Sequence, residues 1–248
     1  MVYHGKGLEI IKTEGEEAMW EIKSCKKTDV CYPKSLRDMA SAPEVLYYVG
    51  DISACENVVV AVVGRRDADE RYLQIARRIG EMLAKKGCTV LNGLAVGCDA
   101  KALEGAVVAK GKAVAVMPGG LDEIYPKSNQ KLAEQIVAQG GCLISEYPSG
   151  TKLQRYMFVQ RDRIQAMLSN KVLIVDANKD GGTMHTAEYA VKYERPLGCF
   201  METGGKESPS GNQFLIDSHK ASAVRDTEGL MKFVEQPEYA QMTLFGAG

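Results

Sequence analysis

Four short segments carry glycine in places where a backbone can meet an anion: Gly64-Arg65-Arg66, Asn92-Gly93-Leu94-Ala95-Val96-Gly97, Pro118-Gly119-Gly120 and Gly181-Gly182-Thr183. Without a Cβ the chain turns tightly, and its bare N–H groups can approach a phosphate, above all where a helix begins. Thr183 adds a hydroxyl that either caps the next helix or donates to a phosphate oxygen. The candidate phosphate-binding residues are therefore Gly64, Gly93, Gly97, Gly119, Gly120, Gly181, Gly182 and Thr183. Any one of these glycines is equally well explained as an ordinary strand-to-helix turn. Four of them, with arginines beside the first, favour an anion site. The chain contains neither a GxxxxGK[ST] phosphate loop nor a GxGxxG dinucleotide fingerprint.

The remaining chemistry-bearing residues do not assemble into a catalytic set. His4, His185 and His219 are far apart in sequence, and only His185 falls near the glycine-rich ends. Asp99, Asp122, Glu123 and Glu146 follow apolar runs, where acid–base or metal roles compete with the commoner work of helix capping and arginine pairing. Cys98 opens a helix, a position that lowers a thiol pKa, but it has no histidine beside it and is read as packing. A non-enzymatic protein without cofactor or metal is expected.

The segments that position these residues alternate in period. Val58–Val63 is a continuous β-branched run, as a strand buried on both faces requires. Ile75, Ala76, Ile79, Met82 and Leu83 then share a helical face that stops at Gly87. The phrase repeats: strands at Cys88–Leu91, Ala113–Met117, Cys142–Ser145, Val172–Val175 and Leu197–Phe200, with helical stripes between them. Such alternation predicts an α/β fold of extended Rossmann-like type, with a doubly wound, mostly parallel sheet. Residues 1–57, with a charge run and Pro33 and Pro43 as breakers, read as a short helical or irregular N-terminal cap. Residues 58–235 form the Rossmann-like domain, with a polar loop at Lys206–Asn212 and a short helix at Thr227–Val234, and residues 236–248 a flexible tail.

Composition fits this reading. The 248 residues, 45% hydrophobic and 25% charged, suit one large α/β domain. With 31 basic and 32 acidic residues there is no bulk charge to attract a polyanion, so any such site is a local patch. Seven scattered cysteines without a CxxC pair point to a reducing compartment. No apolar stretch approaches the roughly 18 residues of a membrane span, and a cytoplasmic location is expected.

The order of motifs resembles the DprA/Smf family of DNA-processing proteins, from about Tyr32 to Ile216. Gly64-Arg65-Arg66 stands where that family has Gly-Ser-Arg, and Asn92 to Asp99 resembles its SGLARGID stretch. Gly119 to Pro126 (GGLDEIYP), Ser145-Glu146-Tyr147-Pro148, Phe158 to Arg163 (FVQRDR, for FPxRNR), Gly181 to Ala187 (GGTMHTA) and Ser210 to Ile216 follow in order. The resemblance implies a Rossmann-like fold, a homodimer, binding of single-stranded DNA and help in loading the RecA recombinase. It turns attention to Arg65, Arg66, Lys152, Arg155, Arg161 and Arg163, whose charges suit phosphate oxygens, and to Tyr156 and Phe158, which can stack on bases.

Three positions depart from the family pattern: Val96 replaces an arginine, Val159 a proline, and Asp162 an asparagine. The first and last remove or oppose positive charge near the strand ends. The sequence is also read as a short form, lacking the family's amino-terminal helical and carboxyl-terminal winged-helix domains. Pro118-Gly119-Gly120 resembles the lysine-decarboxylase-like nucleotide binders, so a nucleotide-binding sensor or nucleoside-processing enzyme is the alternative; the residues expected after that motif are missing. In the tail, Gln241, Leu244 and Phe245 have the spacing of a sliding-clamp docking peptide.

Overall fold

The continuous apolar runs become the centre of one nine-stranded sheet. The computed structural model describes residues 20–204 and 206–237. In chain order the elements begin with β1 (Lys23–Lys26), α1 (Lys34–Arg37), β2 (Val45–Gly50), β3 (Val59–Gly64), α2 (Glu70–Lys85), β4 (Thr89–Asn92), α3 (Cys98–Val108) and β5 (Ala113–Val116). They continue with α4 (Gln130–Ala138), β6 (Cys142–Ser145), α5 (Arg155–Leu168), β7 (Lys171–Asp176), α6 (Thr183–Lys192), β8 (Leu197–Phe200), α7 (Ser210–Asp217), β9 (Ser222–Val224) and α8 (Thr227–Glu235).

The sheet order is β1-β2-β6-β5-β4-β3-β7-β8-β9. The strands from β6 through β9 in that order are parallel, whereas β2 runs antiparallel to β6 and β1 antiparallel to β2. Helices cover both faces, which is why every residue of β7 and all but the last of β3 are buried. Residues of α2, α3, α4 and α8 pack into the core on one side, and residues of α1, α5, α6 and α7 into the core on the other. Each fully buried Val, Leu or Ile side chain contributes about 1.5–3 kcal/mol, so these two layers carry the stability.

The chain walks outward from β3 through β4 and β5 to β6, then returns across the sheet to β7 on the opposite side of β3. Loops leaving β3 and β7 consequently diverge and open a crevice above their carboxyl ends, the usual ligand position of such sheets.

The amino-terminal region differs from the irregular cap expected. Its described part extends the sheet, with Tyr48 opposite Ile144 and Cys25 opposite Leu46. An antiparallel edge needs only one buried face, so short strands with charged residues suffice there. At the other end, helix α7 begins at Ser210 inside the expected polar loop, and β9, only three residues long, had no periodicity to reveal it. Gln241, Leu244 and Phe245 lie outside the described residues.

Candidate functional site

One carboxylate ties together the two loops that form the floor of the crevice. Asp99, in the first turn of α3, is buried; its Oδ1 accepts from the Gly64 amide at 3.3 Å and its Oδ2 from the Gly93 amide at 3.1 Å. Burial pushes the Asp99 carboxyl up to about 6, against the opposing pull of Arg161 and these two amides. Asn92 holds the same loop from its other side. Its Nδ2 donates to Val62 O at 3.0 Å and Asp99 O at 2.9 Å, and its Oδ1 accepts from Leu94 N at 3.0 Å. Gly97 has φ +85°, and a Cβ there would lie 2.4 Å from Arg65 O, so this close crossing of the two loops requires glycine.

Arg161 projects from α5 beneath the same floor and is only 5% exposed. Its Nη1 donates to Gly93 O at 2.7 Å and Val116 O at 2.9 Å, and its Nε to Asp162 Oδ1 at 3.0 Å. The guanidinium thus braces the carboxyl ends of β4 and β5. A Cβ on Gly93 would lie 1.7 Å from that Nη1, which gives Gly93 a steric reason to be glycine. Asp162 is buried beside Arg161 and also accepts from Gln165 Nε2 at 2.7 Å. Burial raises its pKa, while Arg161, His185 and Arg66 favour the ionised form. The aspartate in the FVQRDR segment therefore faces inward as the partner of a buried arginine.

The walls carry the exposed chemistry. Arg66 lies 5.6 Å from the centroid of the Phe158 ring, and Tyr125 meets the same ring edge-on at 5.5 Å and 70°. Arg66 is held in no ion pair with a described residue. Arg65 is engaged: Nε pairs with Asp67 Oδ1 at 3.1 Å, Nη1 donates to Asn178 Oδ1 at 3.2 Å, and Asp176 Oδ2 lies 3.9 Å away. Burial raises the pKa of Asp176, with Arg65 as the opposing charge. On the opposite wall α6 begins at Gly182 and Thr183 without a side-chain cap, leaving the positive end of its dipole facing the cleft.

The cleft so enclosed has a volume of about 530 Å³. It is joined by a narrow apolar slot of about 70 Å³ bounded by Val96, Pro118, Tyr125, Pro126 and Phe158. Of the residues nominated from the sequence, Gly64, Arg65, Arg66, Arg155, Phe158, Arg161, Gly181, Gly182 and Thr183 line the cleft, and Gly93 lines the slot. Lys152 and Tyr156 stand outside it as exposed side chains, Tyr156 at 57%. Arg163 is drawn away to Glu146 and is mostly buried there. Gly119 and Gly120 sit under the segment after β6: Ser145 Oγ donates to Gly119 O at 2.6 Å, and a Cβ on Gly120 would meet Pro148 O at 2.8 Å. Gly97 belongs to the loop crossing described above.

Tyr125 and Asn178 were missed in the sequence, although each carried a sign. Tyr125 is the aromatic of the GGLDEIYP segment, and Asn178 is a polar residue just past an apolar strand. Among the described residues, no group of three His, Cys, Asp or Glu side chains is placed to hold a metal ion, and no helix is long and apolar enough to cross a membrane.

Comparison with known proteins agrees with the motif order. The family model described as DNA recombination-mediator protein A matches residues 23–235. Protein Smf of Synechocystis sp. is 40% identical over 173 residues, covering 68% of this chain and 43% of its own length. The chain spans about half the length of such curated relatives, 50% for Protein Smf of Borreliella burgdorferi. A solved structure of DNA processing protein A from Helicobacter pylori, described for its single-stranded DNA binding mode, superposes with a TM-score of 0.76 at 28% identity, covering 88% of this chain and 96% of that one. The Streptococcus pneumoniae DprA structure gives 0.77 at 28% identity over 86% of this chain and 74% of its own. The fold, the motif order and a family match over most of its length place one conclusion beyond the local geometry: the chain belongs to the DNA recombination-mediator protein A family, the DprA/Smf proteins.

Proposed function

We propose that this protein binds single-stranded DNA in the cleft above β3 and β7, without catalysing a reaction, and assists the loading of RecA onto that strand. The observation that carries the reading is the pairing of Arg66 with Phe158 at the mouth of the cleft. A guanidinium without an ion-pair partner among the described residues, next to a half-buried aromatic ring, serves phosphate and base at one point, the combination that single-strand binders use. The α6 amino terminus supplies a second phosphate position and Arg155 a further cation on the same cleft. Arg65, engaged by Asp67 and Asn178, reaches phosphate only by exchanging those partners, so Arg66 and Arg155 are assigned the larger share of the binding. Arg161 positions the floor rather than touching the strand, and Arg163 does the same for α5 through Glu146. The description of the Helicobacter pylori protein by its single-stranded DNA binding supports the ligand class, and the recombination-mediator name of the family supports the RecA role.

The test is anisotropy of a labelled oligothymidylate against salt concentration. Wild-type affinity should fall steeply with salt, by a slope of about 0.7 per neutralised phosphate, and Arg66→Ala should weaken binding and flatten that slope. No binding at low salt would refute the proposal, and thermal stabilisation by a mononucleotide instead would favour the nucleotide-sensor alternative. Homodimerisation, implied by the family, is checked by light scattering at micromolar concentration, where a monomeric mass removes it. A Phe245→Ala pull-down with the sliding clamp decides the role of the tail.

A further inference from the structure

The basic surface does not end at the cleft. Asn178, which accepts from Arg65 on the cleft wall, is followed by Lys179, and the Lys179 ammonium lies 4.7 Å from the centroid of the Phe214 ring. Lys220, in the turn just past the end of α7, the helix that carries Phe214, approaches that ring to 5.9 Å. The ring itself is fixed. Phe214 packs against the core on the inner side of α7, and the start of that helix is docked on the loop after β7, with Gly211 N donating to Ala177 O at 2.8 Å and Lys179 N to Ser210 Oγ at 3.4 Å.

Two ammoniums within 6 Å of one ring repel each other, and each would ordinarily be offset by a carboxylate. Neither is held in an ion pair with a described residue. The nearby Asp217 accepts instead from Gln213 at 2.7 Å. A surface of this kind fits a polyanion, whose phosphates satisfy both cations while a base can lie against the free part of the ring.

We propose that Lys179, Phe214 and Lys220 form a second station for single-stranded DNA, reached by a strand that leaves the cleft over Asn178. The inference rests on the reading of the cleft as a single-strand site. It makes the binding length longer than the cleft alone would allow.

Anisotropy with labelled oligothymidylates of about 5 and about 20 nucleotides separates the two claims, because the first lies near the lower end of the usual site sizes of single-strand binders and the second exceeds them. Lys179→Ala/Lys220→Ala should bind the short oligonucleotide as the wild type does. On the long one it should lose about tenfold in affinity, with a salt slope shallower by about 1.4, the value for two phosphates. Lys179→Arg/Lys220→Arg should restore both. Wild-type affinity and slope of the alanine variant on the long strand, with Arg66→Ala weakening both lengths, would overturn the second station and leave the cleft intact. Equal weakening of both lengths by the lysine variant would also overturn it, since the lysines would then act on the cleft. Failure of the wild type to bind either length removes the cleft reading and the station with it. Both lysines are exposed, so their replacement does not endanger the fold.

Discussion

Replacing Gly93 by alanine should cost this protein much of its stability, although Gly93 lies in a loop. The added Cβ would lie 1.7 Å from Arg161 Nη1 and 2.1 Å from its Cζ. A long side chain usually swings aside from such a contact at little cost. Arg161 cannot, because it is 5% exposed and its guanidinium serves Gly93 O, Val116 O and Asp162 together. Displacing it leaves two buried carbonyls and a buried carboxylate without their donor, and breaking a buried charge pair costs about 3–5 kcal/mol. For a chain of this size that lowers the unfolding midpoint by roughly 6–20 °C. Trp20 is the only tryptophan and donates to Leu121 O at 3.0 Å, so urea unfolding followed by its fluorescence reads the packing of the sheet against its amino-terminal edge. Gly182→Ala is the internal control. An alanine Cβ there meets nothing within 4 Å and the backbone already has φ −59°, ψ −27°, so the variant should match the wild type or gain about 0.4–1 kcal/mol. A loss below about 1 kcal/mol for Gly93→Ala would refute the role of Arg161 as the brace beneath the site.

Asp99→Asn should change how stability varies with pH. The folded carboxyl titrates near 6 instead of the ordinary 3.8, so between those values the folded state holds more protons than the unfolded one, and rising pH costs stability until about pH 6. Relative to the variant, the wild type should therefore gain about 1–1.5 kcal/mol on going from pH 7.5 to pH 5 in urea titrations; a constant difference would contradict the buried charge. Gly97→Ala, forced to φ +85° with its Cβ 2.4 Å from Arg65 O, should lose at least about 1–3 kcal/mol and shift the Arg65–Arg66 loop, visible as weaker oligonucleotide binding. Phe158→Leu keeps an apolar group at the slot but removes the stacking face, so it should lose about 1–3 kcal/mol of affinity for oligothymidylate and none for an abasic strand. Equal losses on both strands would mean that the ring does not meet bases.

How much of this was legible beforehand follows from the range over which each feature is encoded. Parallel strands buried on both faces must be apolar throughout, and their crossover helices must carry a stripe, so β3 to β8 and the helices between them were readable from local pattern alone. The order of glycine-marked turns likewise pointed to the carboxyl-end crevice. Strands β1 and β9 escaped because an edge of three or four residues has too few buried positions to form a pattern, and β2 because it lies in the segment that its prolines and charge run made read as a cap. The larger gap concerned charge. Arg65, Arg66, Arg161 and Arg163 are alike as letters, and only the packed fold separates them: one lies over a ring with no ion-pair partner among the described residues, one is shared with Asp67 and Asn178, and two turn inward to Asp162 and Glu146. The glycines divide in the same way. Gly93 and Gly97 are glycine because an arginine and a backbone crossing occupy the space of a Cβ, and the amides of Gly64 and Gly93 are already bonded to Asp99. Residue type and spacing determined that a rim of turns and cations exists. Which of its donors remain unpaired depends on contacts between residues up to 113 positions apart, and those are settled only when the sheet has closed.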